Sequence, residues 1–218
     1  MEPLYLQDML VPPERIAEMA KFREFAKYDT PKDLVIKTAW HETGHAIGWV
    51  LKGSTLERAT IIPIGNDHSV LWGSVHYAIG DEVVWTDEER QRHAFAALCA
   101  PTICEFAGIE DPFGTMDDIE SAVERLRPLY PAPEELCGQL IKTWIEALEF
   151  FGTPRVWRTA DAFARKLVLQ GTIEGFPRAC ISDDNSPIPG LQDALAKALG
   201  TGDPWEQHYW LRDYVMLE

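Results

Sequence analysis

Positive charge is scarce in this sequence: 20 lysines and arginines stand against 35 aspartates and glutamates, leaving a formal charge of −15. A surface of that sign repels phosphate backbones and anionic headgroups, which argues against nucleic acid or an acidic membrane as partner. Long apolar runs are missing as well. The nearest, Ala94 to Ile109, is broken by Pro101 and Glu105 and is shorter than the roughly 18–20 apolar residues of a membrane span. The first residues carry Glu2 and Asp8 rather than a basic segment ahead of an apolar one, so no secretory signal is expected and the expected location is cytoplasmic. Cysteines number four, at 99, 104, 137 and 180, with no C-x-x-C pair. They read as small buried hydrophobes rather than as disulfide partners. There is no internal repeat and no low-complexity tract. At 218 residues the chain is long enough for one sizeable core, or for one domain with appendages.

What the sequence does contain is the stretch Trp40-His41-Glu42-Thr43-Gly44-His45. Residues four apart lie one above the other on a helix, so His41 and His45 can reach one metal ion together. Glu42 sits roughly 100° around the helix from His41, placed to reach a water on the metal more readily than the metal itself. Two neutral nitrogen ligands, a position for water and a base are the parts a zinc hydrolase needs. The surroundings read as a helix with both ends marked. Thr30 is the N-cap with Pro31 first and Asp33 third, Gly53 is the stop, and Ile36, Trp40, Ile47, Val50 and Leu51 form an apolar stripe between.

Around that helix the chain reads as mainly α, of the α+β kind. Residues 1 to 12 read as an irregular arm and Pro13 to Tyr28 as an amphipathic helix. After Gly53 the period changes. Ala59 to Ile64 and Ser69 to Tyr77 read as strands of a hairpin-like ribbon beside the motif helix, with Gly73 marking a bulge or a close backbone approach. Helices are expected from the Thr86 cap to about Gly108, Thr115 to about Arg127, Glu134 to Phe151, Pro154 to Leu169 and Leu191 to Leu199, with a short one within Thr172 to Cys180. Asp111 to Gly114 is a loop and Asp183 to Pro187 a linker. The tail is rich in aromatics: Trp205, Tyr209, Trp210 and Tyr214. The expected organisation is an N-terminal arm and helix over 1–30, a catalytic unit over 31–182 and a C-terminal linker, helix and tail over 183–218.

A catalytic zinc normally has three protein ligands, and no His or Glu follows the motif at a short spacing. Asp117 and Asp118, at the start of the helix after the 111–114 loop, are the candidates. Here the sequence resembles the peptidase domain of the FtsH family of ATP-dependent zinc proteases. Ala39-Trp40-His41-Glu42-Thr43-Gly44-His45-Ala46 is similar to the family's A-x-H-E-A-G-H-A helix. Ala59-Thr60-Ile61-Ile62-Pro63 is similar to its V-T-I-I-P strand, and Phe113 to Ala122 to its T-G-A-x-N-D-[LI]-x-x-A segment. Ala164 to Gly175 resembles its closing helix pair, so the likeness runs over about residues 34 to 181. It implies a helical, zincin-like peptidase fold with a small sheet beside the motif helix. It also implies that Asp118 is the third zinc ligand, with Asp117 the fallback.

The G-G-R segment of that family is eroded here, with Pro101 inside it. The sequence holds no G-x-x-x-x-G-K-[ST] and no membrane anchor. The expectation is therefore an ATP-independent zinc metallopeptidase acting on flexible or unfolded polypeptides. It would work as a homo-oligomer or with a separate unfoldase. His41, His45 and Asp118 would hold zinc, and Glu42 would transfer the proton. Substrate would add as a strand along the edge near Val70 to Tyr77, with Gly73 leaving room for it. His68, His76 and Tyr77 are candidates for oxyanion contacts and Glu105 for orienting a ligand imidazole. A reading of another class is a non-proteolytic module that keeps zinc, or only the fold, and serves in interaction or regulation.

Overall fold

The structure is a computed structural model and describes residues 9–25, 29–66, 69–77, 85–109, 115–200, 202–204 and 215. Outside the described residues lie His68, Glu110, the 111–114 loop, the end of the first helix near Tyr28 and the tail aromatics. The fold is mainly α with a small antiparallel sheet. Helix α1 spans Pro13–Ala20 and gives way to a 3-10 turn at Arg23–Phe25, so the first helix is shorter than its amphipathic pattern suggests. Helix α2, Pro31–Leu51, carries the His-Glu motif. The Thr30 side chain accepts the Asp33 N–H while the Asp33 carboxylate bonds back to Thr30, a closed capping box.

Strand β1 covers Leu56–Thr60, and the two-residue pieces β2 (Ile64–Gly65) and β3 (Val70–Leu71) pair with each other. Strand β4, Ser74–Tyr77, returns along β1 with Ala59 opposite Val75. The second predicted strand is thus broken at Trp72-Gly73 into two short pieces in different sheets. Helix α3, Asp87–Ala107, opens on a second capping box, Thr86 with Glu89, and closes on Gly108. Helices α4 (Thr115–Leu126), α5 (Pro133–Phe151) and α6 (Pro154–Gln170) follow where their amphipathic patterns place them. Strand β5, Thr172–Glu174, then completes a three-stranded sheet in the order β4-β1-β5.

That strand corrects the helix expected over Thr172 to Cys180, of which only a 3-10 turn at Arg178–Cys180 is present. The reason is the turn before it. Gly171 takes a positive φ of 74°, its carbonyl accepts the Ile61 N–H at 2.8 Å, and Thr172 and Thr60 share a hydroxyl bond at 2.8 Å. The chain is thereby laid against β1, where the β-branched Thr172 and Ile173 suit a strand. Helix α7, Leu191–Leu199, buries Leu191 in the same core as the other helices. The segment before it is held to α6: Arg158 donates to the carbonyls of Asp184 and Ser186, and Arg155 to that of Ser182.

The core is built on α2. Trp40 stacks on Trp157 of α6 with ring centroids 5.1 Å apart, and Phe106 of α3 closes on the same indole. Both indoles are fully buried. All four cysteines are buried and free, as the sequence leads one to expect. Among the described residues no helix is long and apolar enough to cross a membrane.

Candidate metal centre

The site begins with two missing side chains on α2. A Cβ on Gly44 would stand 2.5 Å from the Ala100 Cα and 2.6 Å from the Cys99 carbonyl oxygen; one on Gly48 would stand 2.9 Å from the Ala96 Cα. The backbones of α2 and α3 therefore touch along this seam. The approach brings the Ala96 carbonyl within 3.0 Å of His45 Nδ1. With Nδ1–H donated to that carbonyl, Nε2 keeps its lone pair for a metal. Trp40 anchors the opposite face of α2 in the core, which turns His41 and His45 toward the cleft. Their rings lie 4.9 Å apart, nearly perpendicular.

Helix α4 brings the third group. Its buried Ile119, Ala122, Val123 and Leu126 fix it in the core, and its first turn presents Asp118 to the imidazoles. Asp118 Oδ1 lies 3.1 Å from His45 Nε2, and Oδ2 lies 3.3 Å from His41 Nε2. One donor atom from each of the three residues falls within 4.8 Å of the others. The two imidazoles face different oxygens of the one carboxylate, and the three residues converge closely enough to surround a single ion. Asp118 Oδ2 is also buried with no well-formed hydrogen bond, its one polar neighbour being the His41 imidazole, an arrangement that a cation between the two would improve. Two imidazole nitrogens and a carboxylate oxygen suit zinc, so the residues present fit the ion. The field is of the right sign. Burial pulls the His45 pKa down, but Asp118 and then Glu42 outweigh it and raise it to about 9. Asp117, exposed on the rim of the cleft, does not converge with the imidazoles.

The cleft has two lobes, with volumes of about 310 Å³ and 130 Å³, that share His41, Glu42, Leu71, Gly73 and Asp117 as walls. The larger holds Trp49 stacked on Tyr77 at 3.7 Å, with His93 edge-on to Trp49 at 4.9 Å. His93 is kept neutral: burial first, then Arg125 and His45, lower its pKa to about 4. No motif marks it in the sequence. It reaches the site because it sits one turn before Ala96 on α3. The smaller lobe holds Trp72 and the Lys37–Asp29 ion pair, 2.7 Å long.

Glu42 is buried at the neck between the lobes. Tyr77 faces the larger lobe, and burial raises its pKa, so its hydroxyl stays a donor. His76 is exposed on β4, hydrogen-bonded to Arg58 and Ser74. Glu105 does not line the cleft, and its pKa is raised by burial against the opposing pull of Trp144 on α5; His45 is oriented by a backbone carbonyl instead. Strand β4 pairs with β1 along one side and is an edge of its sheet. The room at Gly73, however, is taken by the Glu42 side chain rather than left open for a substrate strand.

No protein-family model matches the chain, and no curated protein matches it.

Proposed function

We propose that this chain is a zinc metallopeptidase that hydrolyses peptide bonds in flexible or unfolded polypeptides without ATP. The observation that carries the reading is the convergence of His41, His45 and Asp118 on the wall of the larger lobe of a cleft, with a buried Glu42 beside them. The likeness to FtsH peptidases in Ala39 to Ala46, Ala59 to Pro63 and Phe113 to Ala122 supports it, and it is the source of the expectation that Asp118 is the third ligand. Zinc, when bound by these three, supplies a Lewis acid that polarises a carbonyl and makes water nucleophilic near neutral pH.

The chain's own residues do the rest. His45 is held in one tautomer by the Ala96 carbonyl. Glu42, a carboxylate at the neck, accepts the proton of the attacking water and delivers it to the leaving amine nitrogen. The β4 edge offers N–H and C=O groups to an extended chain, which selects unfolded segments over folded ones. The exposed Leu71 beside the neck favours apolar stretches, and the acidic surface disfavours acidic ones.

The test is zinc content together with cleavage of an unfolded protein such as reduced, alkylated casein. Glu42→Gln should keep zinc and lose about 100- to 10,000-fold in rate. Asp118→Ala should lose both. Equal, metal-independent cleavage by wild type and Glu42→Gln ends the peptidase reading. Zinc content unchanged in Asp118→Ala removes that residue from the centre.

A further inference from the structure

We propose that Gly73 is a positioning residue for Glu42: the side chain it lacks is the space that the carboxylate occupies. The inference rests on the reading of Glu42 as the proton-transfer group. A Cβ at position 73 would lie 2.5 Å from Glu42 Oε1, 2.8 Å from its Cδ and 2.7 Å from its Cγ. No real Cβ tolerates contacts that short, and three successive atoms of one side chain are involved. Gly73 and Glu42 are both buried, so a Cβ at position 73 would push the carboxylate out of its place between them and into one of the two lobes that Glu42 lines. The Gly73 φ is not positive. Alanine is therefore permitted by the backbone there, and what it would remove is room.

The position gives the contact its consequence. Glu42 and Gly73 face each other at the neck common to both lobes, beside His41 and Asp117. A chain running from one lobe to the other crosses at that point. The α2 backbone fixes one end of the Glu42 side chain, and the 72–74 backbone presses on the other. A base held on two sides is oriented before substrate arrives, which is worth more to proton transfer than to binding. The metal ligands come from α2 and α4 and do not depend on position 73.

The test is a double-mutant cycle over positions 42 and 73, read in two ways. In unfolding, Gly73→Ala alone should lower the thermal midpoint by about 5 °C, and by less than about 1 °C when introduced into Glu42→Ala, because the atoms it strikes are gone. In cleavage, Gly73→Ala should keep its zinc, lower kcat at least tenfold and leave KM within twofold. The same change in Glu42→Gln should slow it no further. Equal midpoint losses in both backgrounds, or a wild-type kcat for Gly73→Ala, overturn the proposal. If Gly73→Ala fails to fold, recovery of folding in the Glu42→Ala, Gly73→Ala double variant supports it and continued failure overturns it. Absence of any Glu42-dependent cleavage in wild type would end the peptidase reading, while the unfolding cycle would still decide whether Gly73 holds Glu42.

Discussion

The two walls of the cleft are built on opposite plans. The helical wall, α2 against α3, is backbone on backbone at Gly44 and Gly48, backed by the Trp40–Trp157 stack. It holds the two imidazoles and shows water little apolar surface. The strand wall consists of the β2–β3 ribbon and β4, short pieces with Ile64 and Leu71 exposed and opposite each other in register. On the proposed reading, metal donors need fixed distances, and the two imidazoles sit on the rigid wall with Asp118 brought beside them by α4. The contacts proposed for a varied polypeptide need tolerance, and the thin wall supplies it. Glu42 belongs to both, since it grows from α2 and ends against the strand wall at Gly73.

Breaking the helical wall should cost most. Trp157→Ala removes the partner of the Trp40 stack and should destabilise the fold by about 3–5 kcal/mol, with zinc affinity falling alongside; urea unfolding and metal analysis check both. Next comes acid. The folded His93 pKa of about 4 lies below its unfolded value of about 6.5. The neutral ring thus contributes stability that is complete above pH 6.5 and is lost as pH falls toward 4. The full loss approaches about 3 kcal/mol. His93→Phe keeps a ring against Trp49 without a titrating nitrogen, so its unfolding free energy between pH 7 and pH 4 should fall by that much less than that of wild type. Identical pH profiles would show that His93 is solvated. The smallest effect belongs to the strand wall. Leu71→Ser should change stability by no more than about 0.5 kcal/mol yet raise KM for apolar peptides, which steady-state kinetics on matched apolar and polar substrates would reveal.

The helical half of this structure is legible in the sequence because its signals are local. Thr30 with Asp33 and Thr86 with Glu89 announce helix starts through their own side chains, and the spacing of His41 and His45 puts both on one face. The strand half is legible only as β-prone composition. Where the second run breaks, and that Thr172–Glu174 joins the sheet, follow from Gly171 bonding to Ile61, more than 100 residues away in the chain. Within the site, Asp118 is indicated by a resemblance and its carboxylate does meet the imidazoles. The Ala96 carbonyl and His93 carry no pattern of their own, because a backbone oxygen and a lone histidine acquire meaning only from what packs beside them. Gly73 was readable as a point of close approach, but the group approaching is the chain's own Glu42.

On the proposed reading, the seam at Gly44 and Gly48 holds the helix that bears both imidazoles in place before any ion arrives. Backbone packed on backbone has no rotamers to reorganise, so cation uptake should proceed as simple capture rather than coupled folding. The emptied protein would then keep its shape under a chelator and accept a replacement such as cobalt(II) or manganese(II) without refolding.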